Sequence, residues 1–277
     1  MTTLYALIIR LTAVQHGKLP ATQGHLAHAA FLKILEQADP DLTQSLHDWN
    51  GRKPFTLSPL EGFGHGHDGH LLIRAGQEGW LRVTLLDSVL FNTFISYFLY
   101  NNNRPTIRLN QLTFQVSEIL NAPHSHPLAG YDTLENLWHR WEMAPFQPSL
   151  TLDFRTPTAF SLKSGLPHRV MHVLPDPTLV FGQLASYWDD LSGNDTKETV
   201  RQFAAFHLVV SRHKIETHMY QFNKGKQIGF TGRVTFDILD PTQLLLAQHI
   251  HRLADLAFYT GIGYKTTMGM GQLFRHQ

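Results

Sequence analysis

The strongest constraint on this chain is the order in which its hydrophobic patterning changes period. Leu4 to Val14 is a run rich in branched apolar residues, which predicts a buried first strand. After a loop with Gly17 and Pro20, Leu26, Ala30, Ile34 and Leu35 recur at helical spacing within Gln23–Gln37. His25 and His28 lie three apart on that helix, close together on one face. Asp39-Pro40 reads as an N-cap with proline at the first helical position, opening a short helix that stops near Trp49 and Asn50-Gly51. Short strands are predicted over Phe55–Phe63, His70–Ala75 and Trp80–Leu86, joined by glycine-rich turns. A helix over Asp87–Tyr100 and one alternating strand over Thr106–Val116 follow.

The second half repeats this order. Leu150, Leu152 and Phe154 alternate as a strand, and Thr178–Leu191 has helical character. His207–Gln221 and Gln227–Ile238 read as strands flanking the turn signal Asn223-Lys224-Gly225-Lys226. An apolar helix over Pro241–Phe258 and a glycine-rich tail close the chain. Strand, helix, strands, helix, strand, twice over, predicts an α+β protein of two tandem ferredoxin-like (RRM-like, βαββαβ) domains. Residues 1–125 would form the first, 126–146 a linker with a connecting helix, and 147–277 the second.

Composition removes several classes of function. The 277 residues, 43% of them hydrophobic, suffice for two cores, and 16% charged residues with a net charge of +1 exclude a charge-dominated disordered tail. Any basic surface must therefore come from local clustering. Absence of cysteine excludes disulfides, thiolate zinc sites and cysteine nucleophiles. The apolar start is too short to span a bilayer and is broken by Arg10, and no cleavage signal follows, so the cytoplasm is the expected compartment. Among 18 histidines, His65, His67 and His70 with Asp68 form the most metal-like string. It lies in a glycine turn without rigid support, so a surface loop is the favoured reading. His124-Ser125-His126 reads the same way, and no metal or other cofactor is expected.

The most informative stretch is Tyr259-Thr260-Gly261-Ile262-Gly263-Tyr264-Lys265-Thr266-Thr267-Met268-Gly269-Met270-Gly271-Gln272. Its glycines allow close backbone approach to an anion, and Lys265 adds a cation. It lacks the GxxxxGK[ST] spacing of a P-loop and follows a helix instead of opening one. A turn packed against the sheet is the competing reading.

This ending resembles the signature of the CRISPR-associated repeat-processing endoribonucleases, the Cas-six family of the RAMP superfamily. Phe154-Arg155-Thr156-Pro157-Thr158-Ala159-Phe160 looks like that family's opening strand of the second domain, and Gly229-Phe230-Thr231-Gly232-Arg233-Val234 like its long hairpin. Asp39-Pro40-Asp41-Leu42, Leu46-His47-Asp48 and Lys53-Pro54-Phe55-Thr56-Leu57-Ser58-Pro59-Leu60 look like its N-terminal catalytic segment. The resemblance implies metal-independent cleavage of CRISPR repeat RNA by attack of a ribose 2′-OH on the adjacent phosphate, leaving a 2′,3′-cyclic phosphate and a 5′-OH. Effector-complex subunits and a second copy of the chain are further partners it allows; a membrane is not.

Such chemistry needs a base, an acid and a cation near the phosphorane, and histidine suits both proton roles. His47 carries over to the family's catalytic histidine through its flanks, its role as acid or base left open. Lys53 carries over to a lysine that relatives use for phosphate charge. Where some relatives place a helical tyrosine, this chain has Leu32, so His25 or His28 is expected to substitute. Lys224, Lys226 and Arg233 on the hairpin, with Gly261, Gly263, Lys265, Thr266, Thr267, Gly269 and Gly271, are the expected RNA contacts. The competing readings are a catalytically inert RAMP-type RNA-binding subunit and a metal-dependent hydrolase built on the 65–70 histidines.

Overall fold

The structure is a computed structural model that describes residues 2–64, 68–100, 105–162, 169–222 and 225–276. The first half runs β1 (Thr3–Ala13), β2 (Gly17–Pro20), α1 (Gly24–Ala38), α2 (Pro40–Asp48), β3 (Phe55–Leu57), β4 (His70–Ile73), β5 (Glu78–Leu85), α3 (Ser88–Tyr100), β6 (Thr106–Leu109) and β7 (Leu112–Leu120). Its sheet has the order β3-β5-β1-β7-β6, each pair antiparallel. Strands β2 and β4 form a separate ribbon. The single strand expected over Thr106–Val116 is a hairpin instead. Asn110 takes a left-handed conformation (φ 56°), which asparagine tolerates better than most side chains, and the chain reverses there.

Next come β8 (Gly130–Thr133), which pairs with the start of β1, and α4 (Leu134–Glu142), capped by the Thr133 hydroxyl accepting from the Asn136 amide. The second half runs β9 (Ser149–Thr158), β10 (Phe160–Leu162), β11 (Val170–His172), α5 (Pro177–Ser192), α6 (Lys197–His207), β12 (Leu208–Gln221), β13 (Lys226–Ile238), α7 (Leu244–Thr260), a 3₁₀ turn (Thr266–Met268) and β14 (Leu273–Arg275). Its sheet order is β12-β13-β9-β14. Helix α6 is an addition to the expected elements, although Val200, Phe203 and Ala204, the three it buries, carry helical spacing.

Both sheets thus order the four strands of a βαββαβ unit as second, third, first, fourth. That is the ferredoxin-like arrangement, in tandem. Phe31, Phe55, Phe94 and Phe114 fill the first core; Phe154, Phe181, Trp188, Phe230 and Phe236 fill the second. Strand β1 serves both: Leu7, Ile9 and Leu11 face the first core while Leu4 and Ala6 join the second. Burial on both faces explains the apolar stretch Leu4–Ile9, which an alternating strand would lack. Where the domains meet, the Arg82 guanidinium of β5 is buried and donates to the carbonyls of Leu128 (2.9 Å) and Phe258 (2.6 Å) and to Oε1 of Gln272 (2.7 Å).

Candidate functional site

The site is built where α1 and β3 of the first domain meet the 266–268 turn of the glycine-rich segment, with α2 packed against α1. Asp39 caps α2 as its sequence predicts, its carboxylate accepting from the Leu42 amide at 2.9 Å, with Pro40 at the first helical position. This fixes the start of a nine-residue helix whose last turn carries His47, exposed to solvent. Lys53 folds back onto the end of α2. Its ammonium donates to the carbonyls of Leu46 and Trp49, the latter at 2.6 Å, so a cation closes the end of the helix, where the dipole favours one.

His28 lies on α1, half-buried, its ring 5.8 Å from that of Phe55 and roughly parallel to it. Its Nδ1 is 3.0 Å from the carbonyl oxygen of Thr267. A carbonyl can only accept, so Nδ1 carries a proton and, in the neutral ring, Nε2 is a free acceptor. Burial pushes the His28 pKa below the ordinary histidine value, the Thr267 bond opposes this, and the nearby charges of His47 and Lys53 lower it further. His28, His47 and Lys53 therefore share one electrostatic neighbourhood. His25 sits one turn earlier on α1, also half-buried, and is not among the charges that act on His28. Leu32 packs against the first core.

The glycine-rich segment is held tightly by the fold. The amides of Gly261, Gly263 and Gly271 donate to Ala257 O (3.0 Å), Gln183 Oε1 (2.7 Å) and Pro157 O (3.1 Å). A Cβ on Gly271 would stand 1.9 Å from the carbonyl oxygen of Ile262, so glycine is required there for close packing. Thr266 is buried, and Gly269 lies against α1. Thr267 supplies the His28 partner, a role its sequence gives no sign of. Lys265, in a left-handed conformation (φ 60°), rests its ammonium 3.6 Å from the Phe222 ring centroid, and Arg169 lies over the neighbouring Tyr264 ring at 5.3 Å. Lys226 and Arg233 are exposed on β13, Arg233 within 3.7 Å of Asp153. Lys224, His65 and His67 lie outside the described residues. Among the described residues no three histidine, aspartate or glutamate side chains gather as a metal centre would need.

This architecture is shared by known proteins. "An RAMP protein binding different RNA substrates" shares the tandem ferredoxin-like fold at a TM-score of 0.63 and 12% identity, covering 99% of this chain and 100% of its own. Residues 3–139 match the CRISPR Cas6 N-terminal domain and residues 152–273 the CRISPR-associated endoribonuclease Cas6. A Cas6 product complex is similar at 31% identity over 100% of both chains, with a TM-score of 0.81. Thermus thermophilus Cas6 is similar at 28% identity over 100% of this chain and 99% of its own, with a TM-score of 0.74. The CRISPR-associated endoribonuclease Cas6 of Streptococcus thermophilus is 24% identical over 127 residues, 45% of this chain, and the match spans about half (49%) of that relative. The chain belongs to the Cas6 family of CRISPR-associated endoribonucleases.

Proposed function

We infer that this protein cleaves CRISPR precursor RNA within its repeats, without a metal, using His28 and His47 as its proton-transfer pair. The observation that carries the reading is that His28, bonded to the Thr267 carbonyl of the glycine-rich segment, feels the charges of both His47 and Lys53. His28, with Nδ1 committed to Thr267 and held neutral by burial, acts as general base through Nε2. It takes the proton of the ribose 2′-OH as that oxygen attacks the adjacent phosphorus. The P–O5′ bond breaks, and His47 protonates the leaving 5′ oxygen from its exposed position at the end of α2. The products are a 2′,3′-cyclic phosphate and a 5′-OH. Lys53 keeps His47 in place and puts a cation beside the phosphorane.

Lys226, Arg233 and Lys224 of the hairpin, with Lys265 and Thr267, contact the RNA backbone. In this reading Gly261, Gly263, Gly269 and Gly271 shape the segment, because their backbones are packed or bonded within the protein. Incubation with a cognate repeat RNA in excess EDTA tests the reading. Cleavage to a cyclic-phosphate end is expected, lost in His47→Ala with RNA binding retained. Binding without cleavage would identify an inert RNA-binding subunit instead, and activity abolished by EDTA would overturn the proposed chemistry.

A further inference from the structure

Tyr220, near the end of β12, is 3% exposed and packs with Ala159, Phe222 and Met270 in a small cluster beneath the glycine-rich segment. Its hydroxyl leaves its own domain and accepts a hydrogen bond from the Gly24 amide at 3.0 Å. Gly24 is the first residue of α1, one turn ahead of His28, and its amide is one that the helix itself cannot satisfy. The same hydroxyl abuts Gly269, where a Cβ would stand 2.4 Å from it; a Cβ on Gly24 would stand 2.5 Å away. One oxygen therefore sits between the start of the histidine helix and the turn that carries Thr267, and sets their spacing. Next to it the Thr22 hydroxyl donates to the Gln221 carbonyl, so two consecutive residues of the hairpin hold the entry to α1. Burial raises the Tyr220 pKa, which keeps the group a neutral hydroxyl at working pH.

We propose that Tyr220 is a positioning residue of the cleavage reaction, its hydroxyl fixing α1 against the 266–269 turn so that the Thr267 carbonyl orients the His28 ring. The inference rests on the assignment of His28 as the base. Glycine at 24 and 269 leaves room for the Tyr220 hydroxyl, alongside the Met268 carbonyl against Gly24 and the left-handed backbone of Gly269, and the contact links the hairpin that carries Lys226 and Arg233 mechanically to the base. The effect of Tyr220 is transmitted through α1 and Thr267.

Tyr220→Phe keeps the ring in its cluster and removes only the hydroxyl. Wild type, Tyr220→Phe and Gly269→Ala are compared by single-turnover cleavage of saturating cognate repeat RNA in EDTA, RNA affinity, thermal unfolding and the pH profile of the rate. Tyr220→Phe is expected to melt as a folded protein, to bind RNA with unchanged Kd and to cleave roughly 10- to 100-fold more slowly, the loss typical of slight misplacement. The acid limb of its profile should move up toward the ordinary histidine value, because burial of His28 is loosened. Gly269→Ala, which pushes the same contact apart, should repeat this pattern. Cleavage by Tyr220→Phe at the wild-type rate, a loss that merely follows weaker binding, or an unmoved acid limb overturns the proposal while leaving the endoribonuclease reading intact. A wild-type chain that leaves the RNA whole overturns that reading, and this inference with it.

Discussion

At the scale of single residues, the two histidines of the candidate site differ in what surrounds them, and in the proposed mechanism this separates their roles. His28 is half-buried with one nitrogen committed to Thr267; His47 is exposed at a helix end. A base must be unprotonated to work, and burial holds His28 below the ordinary histidine pKa. The acid limb of the rate profile is therefore expected below about pH 6.5, the unperturbed value. His28→Ala should slow single-turnover cleavage by roughly 10²- to 10⁴-fold and abolish that limb. A profile whose acid limb persists unchanged in His28→Ala would assign the base elsewhere. The sequence singles out His47 because its flanks, Leu46 and Asp48 and the Lys53–Leu60 strand approach, are local. It leaves the choice between His25 and His28 open. Both occupy the same helix face, and the Thr267 carbonyl that favours His28 in the proposed mechanism lies 239 residues away. Lys53 reads as a cation near the expected site, but its grip on the carbonyls of α2 is a contact that the Asn50-Gly51 helix stop allows without specifying.

At the scale of elements, local rules predicted the carriers of the site better than the segment that meets them. Helix α2 follows from Asp39 and Pro40, and both act as their chemistry predicts. Asp39→Ala should cost about 1 kcal/mol through loss of the cap, read in chemical denaturation, and should loosen His47 without touching it. The glycine-rich segment shows the limit of pattern reading: glycines that suggest an anion cradle are explained here by close backbone packing. Two substitutions separate conformation from contact. Gly193 ends α5 with φ 75° and has open space around its Cβ position, whereas Gly271, at φ 71°, has a carbonyl oxygen 1.9 Å away. Gly193→Ala should therefore cost only the left-handed penalty of about 1 kcal/mol. Gly271→Ala should cost clearly more in the same denaturation measurement and should slow cleavage, because the segment it distorts holds Thr267. Equal costs would mean that the Ile262 carbonyl moves aside freely. The hairpin found where Thr106–Val116 reads as one strand arises because the chain turns at Asn110 while each arm keeps its own alternation.

At the scale of the whole molecule, the two domains are joined by polar groups that their sequences treat as unrelated. Arg82 is satisfied by carbonyls and a glutamine of the neighbouring segments and lies 4.4 Å from the Phe258 ring centroid. Gln272, which accepts from Arg82, donates to the Thr56 hydroxyl at 2.8 Å, so the end of the glycine-rich segment is tied to the β3 that follows Lys53. On the outer side of α7, His251 stacks on Trp141 of α4, with Nε2 3.0 Å from the Gln147 carbonyl and Nδ1 facing Arg275. The carbonyl can only accept, so Nε2 donates and the neutral ring presents Nδ1 as acceptor to the guanidinium. His249, against Trp188 and 3.3 Å from the Thr196 hydroxyl, is buried as well. Burial, with Arg252 beside His249 and Arg275 beside His251, pushes both histidines down to about 4. In the unfolded chain they would titrate near 6.5. Between those values the unfolded state binds more protons than the folded one, so acid favours unfolding. The contribution of both rings is complete above about pH 6.5 and declines as pH falls to about 4, by up to about 3 kcal/mol each. Urea denaturation at pH 7.5 and 4.5 measures the slope. His251→Gln, which keeps a donor and an acceptor but cannot titrate, should lower stability at neutral pH through poorer packing against Trp141 yet flatten the decline. A slope identical to that of the wild type would show that acid acts on the fold through other groups.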